Sequence, residues 1–119
     1  MRSRLLIALL LLVLAAGCGE KESGGGTATE PATDGNTVVV DMKDLLFVPE
    51  KAGARVGQTV RWTNNDDVPH TVKAESGADF ESKSISKGKT FEAKMTKAGT
   101  IDYVCTIHPS QTGSITVAQ

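Results

Sequence analysis

The feature that most constrains this chain is the recurrence of short β-branched or alternating runs between turn residues. Thr37 to Met42 is the first such run. Val48-Pro49 breaks the chain, and Ala54 to Val56 lies before Gly57. Gln58 to Thr63 alternates, with Val60 and Trp62 on one face. Asn64-Asn65-Asp66-Asp67 is a turn cluster. His70 to Ala74 follows and closes at Gly77, and Phe80 to Ile85 is a weaker run. Lys89 to Met95 places Phe91, Ala93 and Met95 on one face, which assigns Met95 to the core; Met42 is assigned there as well. Ala98-Gly99 turns into Thr100 to Cys105, and Gly113 opens the last run through Ile115 and Val117. Side chains that alternate with period two line one face of a strand. No window carries a 3.6-residue period. The expectation is an all-β fold, a Greek-key β-sandwich of about seven or eight strands.

The amino-terminal stretch has a different character. Arg2 and Arg4 precede an apolar run from Leu5 to Ala16, followed by small residues and Cys18. The run is shorter than the roughly 18 residues that a membrane-spanning helix needs. It has the layout of a signal peptide over 1–17. Leu14-Ala15-Ala16-Gly17-Cys18 resembles the lipobox of bacterial lipoproteins, in which the cysteine becomes the lipidated first residue. It departs in having Ala15 three places before the cysteine, where leucine is usual. An ordinary secretory signal is the alternative. Residues 19–36 are mostly Gly, Ser, Thr, Pro and Glu, with no large apolar side chain. Such a segment cannot bury enough surface to offset its ordering entropy. The expectation is a flexible tether from lipidated Cys18 to a domain over 37–119, exported to the cell envelope and lipid-anchored at the periplasmic or extracytoplasmic face of a membrane.

Composition excludes some partners. The chain has 119 residues, with 13 Lys+Arg against 14 Asp+Glu, a formal net charge of −1. Within 37–119 the charges balance and form no long block of one sign. Nothing here favours nucleic acid as a partner. One domain of this size is expected to be a monomer.

The chemistry-bearing residues are few. The two cysteines are Cys18 and Cys105, and the two histidines are His70 and His108. With Cys18 at the lipidated end of a tether, Cys105 has no disulfide partner. It is either a buried structural thiol or a ligand. Cys105-Thr106-Ile107-His108 spaces a thiol and an imidazole three apart, so that both can reach one ion. His70 follows Pro69 in a separate connection. One thiolate and two imidazoles form the trigonal donor set of blue-copper sites.

At this point a family resemblance becomes specific. Val56-Gly57-Gln58-Thr59-Val60-Arg61-Trp62-Thr63-Asn64, then Pro69-His70-Thr71-Val72, are similar to the small cupredoxins of the plastocyanin, amicyanin and pseudoazurin kind. So are Ala98-Gly99-Thr100-Ile101-Asp102-Tyr103-Val104-Cys105, the following Thr106-Ile107-His108-Pro109, and Gly113-Ser114-Ile115-Thr116-Val117. Phe47 and Pro49 fit the early Phe-x-Pro pattern. The resemblance covers essentially the whole domain. It implies one copper ion held by His70, Cys105 and His108, cycling between Cu(II) and Cu(I), and one-electron transfer between transiently bound redox proteins. No enzyme is expected.

The axial position departs from the short-loop pattern. Methionine is usual six residues after the cysteine, and here the residue is Gln111. It is either an axial amide-oxygen ligand, as in stellacyanin-like plant cupredoxins, or a side chain turned to solvent. An amide oxygen is a harder donor than a thioether and lowers the reduction potential. The resemblance further implies that His108 reaches the surface. Val68, Pro69, Ile107 and Pro109 would ring it as an electron-exit patch. The Ile107 N–H is expected to reach the cysteine sulfur, and the Thr71 hydroxyl to tie the two ligand loops together. Two other readings compete: a copper-binding module for sequestration, delivery or sensing without redox turnover, and a metal-free interaction module.

Overall fold

The computed structural model describes residues 33–119; residues 1–32, with Cys18, the signal segment and most of the tether, lie outside it. Nine strands form among the described residues: β1 (Thr33–Asp34), β2 (Thr37–Lys43), β3 (Leu46–Val48), β4 (Lys51–Arg55), β5 (Thr59–Asn64), β6 (Lys73–Ser76), β7 (Thr90–Lys94), β8 (Gly99–Val104) and β9 (Thr112–Ala118). No helix occurs among them. One sheet runs β1-β2-β5-β7, with β3 also paired to β2. The other runs β4-β9-β8-β6. The chain crosses repeatedly from one sheet to the other, as a Greek-key sandwich requires. The fold is the all-β sandwich that the alternating runs lead one to expect.

Alternation decides which face of each strand is buried. β2 turns Val38, Val40 and Met42 inward, and β5 turns Val60, Trp62 and Asn64 inward. The two strands run parallel, with Val38 opposite Val60 and Val40 opposite Trp62. From the facing sheet come Ala52 and Ala54, Ile101 and Tyr103, and Ile115 and Val117. Both methionines, Met42 and Met95, are buried in this core. Trp62 is the hub. Its ring centroid lies 5.3 Å from Phe80, 5.7 Å from Phe91 and 5.4 Å from Tyr103. Non-parallel aromatic packing of this kind adds to plain area burial. Gly113 leaves room for it, because a Cβ there would lie 2.5 Å from the Tyr103 ring and hydroxyl.

Three local outcomes differ from the sequence reading. Phe80 to Ile85 is no strand: it touches its neighbours through isolated bridges at Glu81 and Ile85. The run around His70 becomes a strand only from Lys73. Pairing begins at Thr33, inside the stretch whose composition reads as tether, through Thr33 opposite Val38.

Candidate metal centre

Two connections at one end of the sandwich carry the donors. The first leaves β5 and enters β6. It is built by Asn64, a fully buried amide at the end of β5. Its Nδ2 donates to the Val68 and Ile85 carbonyls at 2.8 and 2.9 Å, and its Oδ1 accepts the Asp66 N–H at 2.8 Å. A buried amide so satisfied fixes the loop around it. His70 then pairs main chain to main chain with Ile85, N–H to carbonyl in both directions at 3.1 and 2.7 Å. The second connection leaves β8 and enters β9. Here the Cys105 N–H donates to the Gln111 carbonyl at 3.0 Å, and the Gln111 N–H to the His108 carbonyl at 2.8 Å. These bonds close the loop that carries Cys105, His108 and Gln111.

The connections bring His70, Cys105 and His108 together. Their donor atoms all lie within 4.8 Å of one another. Cys105 Sγ is 3.8 Å from His70 Nδ1 and 3.7 Å from His108 Nδ1. Nitrogen and sulfur donors bonded at about 2.0–2.3 Å to one ion, at trigonal angles, stand about 3.8 Å apart. The observed spacing therefore fits a single ion at the centre of the three. His70 and Cys105 are fully buried and His108 is half-buried.

The thiol is tuned toward its anion. Burial alone would raise its pKa. The Thr71 N–H, the His70 side chain, and the main chain and side chain of His108 outweigh that and hold it down at about 6. A thiolate is the form that ligates a metal. The Thr71 N–H donates to the sulfur at 3.3 Å. Ile107, assigned this part from the sequence, makes no such bond; the Thr71 N–H, from the other connection, makes it instead. The Thr71 hydroxyl does join the two connections. It accepts the Thr106 N–H at 2.7 Å and pairs with the Thr106 hydroxyl at 2.7 Å.

Gln111 is fully buried, and neither its Oε1 nor its Nε2 has a protein partner. It does not turn to solvent. An amide buried without hydrogen bonds costs about 1–3 kcal/mol, and the main chain of Gln111 closes the loop that carries Cys105 and His108. Val68 and Ile107 are 40% and 45% exposed, and Pro69 and Pro109 are exposed as well, so the expected patch around His108 is solvent-facing.

One residue of the centre went unread in the sequence. Asp66 Oδ2 lies 2.8 Å from His70 Nε2. Burial would raise the Asp66 pKa, but the Leu45 N–H, His70 and the Asp44 N–H together lower it. A carboxylate on the second ring nitrogen fixes the tautomer of a ligating histidine and raises its basicity. The signal was present in the four-residue spacing from Asp66 to His70, but a turn cluster of two asparagines and two aspartates offers no means of choosing among them.

Residues 5–117 match the family model described as Cupredoxin-like domain. The chain belongs to the cupredoxin-like family. This cupredoxin is 33% identical over 99 residues to amicyanin-alpha of Methylorubrum extorquens, covering 80% of this chain and 82% of that one. It is 32% identical over 94 residues to amicyanin of Paracoccus denitrificans, covering 76% and 71%. Among solved structures it resembles a Cu(I) form of an amicyanin mutant with glutamine in place of one methionine. The TM-score is 0.65 at 30% identity, over 74% of this chain and 91% of that one.

Proposed function

We propose that this cupredoxin is a one-electron carrier with a single type 1 copper held by His70, Cys105 and His108, and with the Gln111 amide oxygen as axial donor. The observation that carries the reading is the trigonal spacing of one buried thiol and two imidazoles beside an orphaned buried amide. Copper would supply the Cu(II)/Cu(I) couple. The chain's own residues do the rest. Main-chain bonds from His70 to Ile85 and from Cys105 to Gln111 hold the donors in place before any ion arrives. Donors fixed in this way move little when charge changes, and a small structural change keeps electron exchange fast. The Thr71 N–H lowers electron density on the sulfur and opposes the potential-lowering effect of an amide oxygen.

Half-buried His108 serves as the exit point, with exposed Val68, Pro69, Ile107 and Pro109 on the same two connections as its docking patch. A small apolar patch suits brief docking with a redox donor and acceptor. The names of the relatives, amicyanin and plastocyanin, support a carrier rather than an enzyme. The lipobox-like segment supports a mature chain anchored through lipidated Cys18, exported and tethered at the membrane.

The test is the absorption spectrum of the full chain with Cu(II), followed by its reduction kinetics. An intense thiolate-to-copper band with fast, reversible reduction is expected. A colourless site, or one that reduces sluggishly, favours a storage or delivery module instead. Failure to bind stoichiometric copper overturns both.

A further inference from the structure

The β2–β3 hairpin turns through two non-glycine residues with positive φ, Asp44 at 55° and Leu45 at 61°. Left-handed backbone is uncommon for a side chain of either kind, and for leucine it is costly. Such strain persists where the surroundings over-determine it. Here the two-residue loop between paired Lys43 and Leu46 calls for positive φ at both positions, and one side chain reinforces it. The Asp44 N–H donates to Asp66 Oδ1 at 2.7 Å and the Leu45 N–H to Asp66 Oδ2 at 3.0 Å. The same Oδ2 is 2.8 Å from His70 Nε2. The Asp66 N–H is itself held by Asn64. The carboxylate therefore has no freedom to rotate: the turn grips it from one side and the imidazole from the other.

We propose that the Asp44–Leu45 turn is a remote positioning element for His70, acting through the Asp66 carboxylate. An ionised carboxylate only accepts hydrogen bonds. It therefore requires a proton on His70 Nε2 and leaves the Nδ1 lone pair free, on the side where Nδ1 lies 3.8 Å from the Cys105 sulfur. The two turn N–H groups set which way the carboxylate points. The turn touches no donor atom, yet it fixes the tautomer and tilt of one of them. The consequence for redox chemistry rests on the carrier reading above. The tautomer does not, because it exists in the metal-free chain.

The experiment uses nitrogen NMR of the histidines in the metal-free full chain, and the reduction potential of the copper-loaded chain. Asp66→Ala removes the oxygen that accepts from His70 Nε2–H and releases both turn N–H groups. The fixed preference for the Nε2–H tautomer should be lost, with the Nδ1–H form appearing, and the potential should rise as the imidazole becomes a weaker donor. Leu45→Val places a β-branched residue at positive φ, loosening the turn without touching Asp66. It should move both readouts in the same direction by less. The proposal is overturned if Asp66→Ala leaves tautomer and potential unaltered, or if Leu45→Val lowers stability alone. Since Leu45 is exposed, Leu45→Val decides the matter even if Asp66→Ala does not fold. A chain that shows both tautomer shifts but binds no copper supports the positioning role and overturns the carrier reading.

Discussion

Gln111 carries two consequences that one substitution separates. Its buried amide has no protein partner, so it weighs on the metal-free fold and serves only when an ion is present. Methionine is close to glutamine in shape and has no amide to leave unsatisfied. Gln111→Met should therefore stabilise the metal-free chain by on the order of 1 kcal/mol, read as a raised urea midpoint. It should also raise the reduction potential, because a thioether favours Cu(I) more than an amide oxygen does. A potential that falls or stays fixed would show that Gln111 is not the axial ligand. Tyr103 gives a second prediction at this scale. Burial, reinforced by the Glu50 carboxylate, lifts its phenol to about 12, whereas an unfolded tyrosine titrates near 10. The folded state thus keeps the proton longer. The associated stability is complete below about pH 10 and is lost as pH rises through about 12. Tyr103→Phe should flatten that alkaline decline in urea midpoint. An equally steep decline in the variant would assign it to other groups.

Strands were legible in the sequence where alternation coincided with burial, and obscure where it did not. In β2, β5 and β9 most inward positions are large or β-branched and most outward ones polar, with Val39, Gly113 and Ala118 as exceptions, so pattern and structure agree. Phe80 to Ile85 carries apolar residues only at its ends, around Glu81-Ser82-Lys83-Ser84. It has nothing to bury along its length, and so it makes bridges rather than a ladder. β1 and β3 are two and three residues long, too short for any periodicity to show. The donors Cys105, His70 and His108 were legible because their chemistry is rare in the chain. Asp66 and the Thr71 N–H were not, since a carboxylate among four turn residues and a main-chain donor have no distinguishing letter. The strand that matters most to the element scale is β5, parallel to β2 on one side and antiparallel to β7 on the other. Trp62 fills its centre and touches aromatics from three other segments. Trp62→Ala should cost about 3–5 kcal/mol, measured by chemical denaturation. A loss below about 1 kcal/mol would mean that the facing sheet collapses onto the gap.

At the scale of the molecule, the sandwich closes its core without help from the metal centre. The donors sit at one end, while Trp62, Tyr103, Ile115 and the β2 valines pack between the sheets. The two donor connections are already joined by the Thr71–Thr106 hydroxyl pair and by the Thr71 N–H on the Cys105 sulfur. Removing the ion should therefore leave the fold intact, with the strand content of the metal-free chain unchanged in circular dichroism. Stability should nevertheless drop, because an ion that binds only the folded state stabilises it by mass action, about 4 kcal/mol at a thousandfold excess over Kd. The midpoint of thermal unfolding should rise with added copper. Cys105→Ser deletes the thiolate and with it the Thr71 N–H bond to sulfur, but keeps the Thr71–Thr106 pair, and should remove most of that rise. If the metal-free chain instead loses its strand signal, the ion is part of the folding core. The ligand loops would then depend on it, rather than on Asn64, Ile85 and the Thr71–Thr106 pair, for their shape.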